Sequence, residues 1–226
     1  MPKNNDLFTR LKQKYRRPLT LTGRNYRTAR RMLIDTADIL NAGKINYFLD
    51  AGGLLGLIRD GDLIPWDDDL DLSIPVTELP RLRKLYGRFR KRGWRIKEDS
   101  FMPADGPCWH KGDSRSVKVR NSYFLCFGRG RIVMDVTLTY RHDGYFWRGA
   151  MGKIWRIPAV YFDRHDTIEY AGRQIRIPDQ VESYLTFLYG NWRVPDKNHD
   201  PIKNDGSLYG DLDLPGGNSS HHAGTR

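Results

Sequence analysis

Between Leu49 and Ser73 the chain reads LDAGGLLGLIRDGDLIPWDDDLDLS, and the end of this stretch limits the fold more than any other segment. From Asp69 to Ile74 polar and apolar residues alternate strictly, which is the period of a strand whose two faces meet different surroundings. Leu70, Leu72 and Ile74 then face a core, while Asp69, Asp71 and Ser73 share the opposite face. Two carboxylates on one face repel each other unless a cation or a proton lies between them. Hard oxygen ligands in that arrangement suit Mg²⁺ or Mn²⁺, which complete their shells with substrate phosphate and water. A surface cluster of acids is ordinarily a solvated loop. Here Ile64, Pro65, Trp66 and Leu70 surround it with apolar groups, a poor setting for idle charge. Asp69 and Asp71 are therefore expected to hold a divalent metal.

Two further features belong to the same chemistry. Gly52-Gly53 follows a short aromatic strand, Ile45 to Leu49, and leads directly into a helix. Glycines let a phosphate approach the backbone, and the unpaired N–H groups of a helix start attract it. Arg59 reads equally as a phosphate clamp or as a surface residue. A third carboxylate is needed if the site is to act on an incoming hydroxyl. Asp135 is the candidate, because it interrupts an otherwise apolar strand, Arg131 to Thr139. A single Asp in such a strand is uncommon without a partner, and a salt bridge to an arginine is the alternative reading.

Elsewhere the pattern predicts an α+β order. Arg24 to Ala42 has helical spacing, with Gly43 placed to supply a left-handed closing residue. Glu78 to Arg92 reads as a helix with Pro80 in its first turn. Strands are expected at 116–127 and 131–139, with hairpins at Asp143-Gly144 and around Ala171-Gly172. Pro178 is expected to start a last helix, closed by Gly190. The polar tail after Asn198 reads as loosely ordered. The resulting division is a basic segment over 1–23, a catalytic domain over 24–199 and a tail over 200–226.

The chain has 226 residues, enough for one domain with a real core, and carries a net charge of +11. That charge favours an anionic partner. Ten of its cations lie between Lys3 and Arg31, and another group runs from Arg81 to Arg92. Both read either as solvated surface or as docking sites for anionic lipid or polymer. No apolar run is long enough to span a membrane, and the N-terminus lacks a signal-peptide core, so a cytoplasmic location, peripheral at the inner membrane face, is the expectation. Cys108 and Cys126 form no framework and are expected to be reduced.

The run GGLLGLIRDGDLIPWDDDLDLS resembles the signature of the LicD family, which includes bacterial phosphocholine transferases and the fukutin-related enzymes. IPDQVESYLTFLYGNWRVPDKNH resembles the family's closing element, so the similarity covers roughly residues 24 to 199. The resemblance implies a nucleotidyltransferase-like, polymerase-β-like mixed sheet flanked by helices, with a strand-rich second half. It also implies transfer of a substituted phosphate from a CDP-activated donor to a glycan hydroxyl, releasing CMP. In that reading Asp69, Asp71 and Asp135 form the metal site and Asp135 can act as base. Gly52 and Gly53 cradle the donor's diphosphate, and Asp67 supports the site from behind. Gly53 departs from the family's commoner Ser or Thr. The zinc-binding cysteine insertion of the fukutin-related members is missing, so no structural zinc is expected. The rival readings are a nucleotidyltransferase that releases pyrophosphate and a nucleic-acid-binding module, the latter disfavoured because most of its aromatics read as core. A choline headgroup would want an aromatic cage, for which Trp94, Trp109, Trp147 and Trp155 are candidates.

Overall fold

The computed structural model describes residues 19–122, 129–197 and 199–212. The N-terminal basic residues up to position 18, Cys126 and the end of the tail lie outside the described residues. Among the described residues, five α-helices and ten strands follow in order: α1 (Gly23–Ala42), β1 (Phe48–Asp50), α2 (Ala51–Arg59), β2 (Leu70–Pro75), α3 (Leu79–Lys91), β3 (Trp94–Phe101), β4 (Ser114–Ser122), β5 (Arg129–His142), β6 (Tyr145–Ala150), β7 (Lys153–Pro158), β8 (His165–Tyr170), β9 (Arg173–Pro178), α4 (Val181–Tyr189), α5 (Pro201–Asn204) and β10 (Leu208–Asp211).

The main sheet runs β1-β2-β5-β6-β7-β10, with β4 also pairing β5 and β3 pairing β4. It is mixed: β2 and β5 are parallel, whereas β1–β2, β4–β5 and β5–β6 are antiparallel. The long β5 ties the halves together, lying between β2 and β4 at first and pairing β6 through Tyr140–His142 at its end. β8 and β9 form a separate hairpin.

Alternation along β2 does what its sequence predicts. Leu70, Leu72 and Ile74 are at most 1% exposed and join Met134, Val136 and Leu138 of β5 in the main core. α1 packs on α3, β9 and β5 and closes this face of the sheet. Its buried residues Ala29, Met32, Leu33, Thr36, Ala37 and Leu40 recur at helical spacing. A second cluster, containing Met102, Trp109, Tyr140, Trp147 and Leu212, lies under β5 to β7. No helix among the described residues is long and apolar enough to cross a membrane.

Three local expectations are corrected. Gly43 is not left-handed (φ −84°), and Lys44 takes that conformation instead (φ 52°). Gly43 is a glycine for packing: a Cβ there would stand 2.4 Å from Leu85 Cδ1, where α1 meets α3. Pro178 ends β9 and does not start a helix; α4 begins at Val181 after a left-handed Gln180. Part of the segment expected to be loosely ordered is structured, since β10 pairs antiparallel with β7. Of the cations on α3 and at its C-cap, Arg81, Arg83 and Arg92 are engaged by Glu78, Glu98 and Asp35, respectively, leaving Lys84, Arg88, Arg90 and Lys91 as exposed positive charge.

Candidate active site

Sheet pairing, more than any local motif, builds the site. Asp50 at the end of β1 is the register partner of Asp71 on β2, Asp71 that of Asp135 on β5, and Asp135 that of Lys118 on β4. Register partners on neighbouring strands project to the same face. One row across the sheet therefore carries three carboxylates and an ammonium. Asp69 lies two residues before Asp71, on the same face and just outside β2.

The members of this row have different surroundings. Asp50 is 1% exposed and fully engaged. Its Oδ1 accepts from the Ala51 N–H (2.8 Å), which caps α2, and from the Tyr184 hydroxyl (2.6 Å). Its Oδ2 accepts from Ser73 Oγ (2.6 Å) and from the Arg148 guanidinium (3.1 Å). Asp135 accepts from Lys118 Nζ at 3.0 Å through Oδ2, so the salt bridge anticipated for it exists, with a lysine and not an arginine. Its Oδ1 is buried and, although 3.0 Å from the same nitrogen, accepts no aligned hydrogen bond. Asp69 and Asp71 have no such compensation. Burial, then the charges of Asp67, Asp68 and Asp135, push the Asp69 carboxyl up to about 7 against a weaker opposing pull from Lys118. Burial followed by repulsion from Asp69 and Asp50 raises Asp71 well above the usual carboxylate range.

These groups face a cleft of about 700 Å³ lined by Gly52, Arg59, Asp67, Asp69, Asp71 and Asp135, with Lys118, Arg148 and Trp155 on other walls. Its chemistry fits a hard divalent cation: the donors are carboxylate oxygens, two of them resist ionisation without a cation, and one buried oxygen lacks a hydrogen bond. Among the described residues, the acidic group whose ligand oxygens all lie within 4.8 Å of one another is Asp67, Asp68 and Asp69, not Asp69, Asp71 and Asp135. Asp69 belongs to both sets.

Residues 44–180, more than half of the chain, match the family described as LicD/FKTN/FKRP, nucleotidyltransferase domain. The chain belongs to this family. Human ribitol 5-phosphate transferase FKRP is 43% identical over 162 residues, covering 67% of this chain and 29% of that protein. Human ribitol-5-phosphate transferase FKTN is 26% identical over 183 residues, covering 77% of this chain and 35% of that protein. The chain thus spans about a third or less of the length of these two relatives. Among solved structures, the lincomycin-bound lincosamide antibiotic adenylyltransferase LnuA matches with a TM-score of 0.45 and 16% identity, covering 77% of this chain and 94% of that one.

Within this LicD-family domain, the glycine pair divides its work. Gly52 lines the cleft against Asp67, where a Cβ would stand 2.0 Å from Oδ2. Gly53 is buried against Leu49 and Leu70, so a Ser or Thr hydroxyl at this position would point towards the core. Both N–H groups belong to the first turn of α2, which has no intrahelical acceptor for them. Asp67 is partly buried and its carboxyl is raised by that burial; Oδ1 accepts from the Asp68 N–H at 3.0 Å. Arg59 is gripped by Asp60 through Nε (2.9 Å) and Nη2 (2.7 Å). Of the four tryptophans considered for a cage, only Trp155 lines the cleft. Trp94 is in the main core, donating to Asp35, and Trp109 and Trp147 fill the second cluster. Sequence reasoning missed Asp50, Lys118, Arg148 and Trp66, an indole 38% exposed at the cleft with Lys197 Nζ 4.8 Å from its ring centre.

The Gly52–Asp67 approach gives a direct expectation. Gly52→Ala leaves the helix intact, since Ala favours it, but displaces the Asp67 carboxylate. With a metal held at this acidic turn, as proposed below, turnover should fall about 10–100-fold, with thermal stability nearly unchanged. Steady-state kinetics beside thermal melting checks this; wild-type turnover would mean that the Asp67 position does not matter.

Proposed function

We propose that the chain transfers a substituted phosphate from a CDP-activated donor to a glycan hydroxyl, releasing CMP. The observation that supports this most is the row Asp50–Asp71–Asp135, with Asp69 beside it, facing a cleft large enough for a nucleotide-linked ligand. The names of the human relatives favour a polyol phosphate such as ribitol phosphate as the group transferred. Phosphocholine and glycerol phosphate are the other candidates, and the exposed Trp66 is the aromatic surface a choline group would require.

In this reading Asp69, Asp71 and Asp135 would hold Mg²⁺ or Mn²⁺, whose positive charge would neutralise the diphosphate and the carboxylates together. The protein's own groups then do the positioning. Gly52 and the start of α2 receive phosphate oxygens through backbone N–H groups. The acceptor hydroxyl attacks the distal phosphorus of the donor in line, the bond from that phosphorus to the bridging oxygen breaks, and CMP departs with the bridging oxygen. The Asp135 carboxylate takes the hydroxyl proton. Asp67 fixes the acidic turn by accepting from the Asp68 N–H.

CDP-ribitol, CDP-glycerol and CDP-choline, each offered with magnesium and a glycan acceptor, should yield CMP with at least one of them. Release of pyrophosphate from a nucleoside triphosphate, with no CMP from any of the three, would replace this reading by nucleotidyl transfer.

A further inference from the structure

The floor of the cleft is strongly acidic, yet the ligand inferred for it is a diphosphate, whose oxygens outnumber the positions a divalent ion takes up, so the cations of the protein around the cleft bear on how it is held. Among the described residues, five arginine and lysine side chains line the cleft, beside His199: Arg59, Arg115, Lys118, Arg148 and Lys197. Arg59 is bound in a two-pronged pair to Asp60, and Lys118 is held by Asp135. Lys197 lies over the Trp66 ring on an exposed segment at the rim. Arg115 donates through Nε to Ser100 Oγ, with no carboxylate to fix its charge.

Arg148 differs from all of them in how it is held. Its side chain is 16% exposed, against 7% for Arg59, and a single bond to a fixed carboxylate, from Nη1 to Asp50 Oδ2 at 3.1 Å, anchors it. Asp50 is itself held rigidly by Ser73, Tyr184 and the Ala51 N–H. No other described residue accepts a hydrogen bond from the guanidinium, so most of its donors stay available while its charge is fixed in place. On β6 it is the register partner of Trp155 of β7, which also lines the cleft. A planar guanidinium anchored at one nitrogen and exposed along another edge is suited to two parallel hydrogen bonds with phosphate oxygens, which a lysine cannot make. Its partial burial, which keeps bulk water from much of the guanidinium, strengthens such bonds.

We propose that Arg148 is the diphosphate-gripping residue of this site, positioned by Asp50, and so takes the role that sequence alone offered to Arg59. The assignment rests on the phosphotransfer reading but requires only a diphosphate ligand, not a cytidine one.

The test uses inorganic pyrophosphate in excess magnesium chloride, with binding to the full chain measured by calorimetry. Arg148→Lys keeps a positive charge against Asp50 and removes the fork; pyrophosphate should bind at least about tenfold more weakly while the melting temperature stays close to wild type. The double variant Asp50→Asn with Arg148→Gln removes both charges of the pair, so that neither is left buried alone, and should show the same loss. In the wild-type protein, pyrophosphate should protect Arg148 from phenylglyoxal, read by peptide mass. Pyrophosphate affinity that falls less than tenfold in a folded variant, absence of wild-type binding, or equal labelling of Arg148 with and without pyrophosphate overturns the proposal. CDP is titrated in parallel. If CDP binds no more tightly than pyrophosphate, the cytidine donor fails while Arg148 keeps its role.

Discussion

Asp71→Asn is expected to cut turnover by about three orders of magnitude and yet give a metal-free protein that is more stable than wild type at neutral pH. Both halves have one cause. Asp71 sits in the row between Asp50 and Asp135, two residues from Asp69, and its carboxyl is raised first by burial and then by those neighbours. An amide of the same shape removes the repulsion but is a poor ligand for a hard cation. If that ligand contributes about 4 kcal/mol to the transition state, as metal-based charge stabilisation does, turnover falls about 10³-fold. Asp69→Asn should behave alike.

The same burial and repulsion set the sign of the pH dependence. Asp69 titrates near 7 in the folded chain, above the usual value of 3.8. A raised carboxyl favours the folded state below its unfolded value and loses that contribution as pH rises through its folded one. The metal-free protein should therefore melt at a higher temperature near pH 5 than near pH 8, a difference that shrinks in Asp71→Asn. Added magnesium should reverse the trend, because ligands must be deprotonated to bind it. Melting curves with and without chelator across this range check both signs. A metal-free wild type that gains stability on going alkaline would contradict the repulsion at the centre of the account.

The second large effect concerns stability. Asp50→Ala removes the acceptor shared by Ser73, Tyr184, Ala51 and Arg148 and leaves a nearly buried guanidinium without its counter-charge. Breaking a buried pair by deleting one partner costs about 3–5 kcal/mol. For a domain of this size that is a fall of about 10 °C or more in melting temperature. Asp50→Asn keeps an acceptor and the shape, and should lose less. Circular dichroism melts of the two variants beside wild type decide it; Asp50→Ala within about 1 kcal/mol of wild type would mean that the network is dispensable.

What the sequence made legible follows from how local each signal was. The alternation of β2 placed Asp69 and Asp71 on one face without outside help, since strand period alone decides it. Asp135 could be named because it breaks an apolar strand. Asp50 gave no such sign. It ends a three-residue strand, and its importance comes from pairing with β2 and from Arg148, 98 residues away. Arg148 was missed because the β6–β7 hairpin was not recognised: its turn is Met151-Gly152, with φ of 45° and 71°, and a methionine is no turn signal in that position. β3 escaped for a related reason, its polar second half hiding the strand period. Gly43 and Pro178 were assigned the conformations such residues usually favour, whereas packing against Leu85 and the continuation of β9 determined them. Arg59 fits the family signature, but the neighbouring Asp60 engages the Nε–Nη2 edge of its guanidinium.

The most direct test of the central claim is the position of Mn²⁺ in crystals grown with CDP, read from anomalous scattering. The account predicts an ion bound by Asp69 and Asp71, with Asp135 at the same centre and an oxygen of the diphosphate completing its shell. An ion held by Asp67 and Asp68 away from Asp71, or a diphosphate bound outside the cleft, would contradict it.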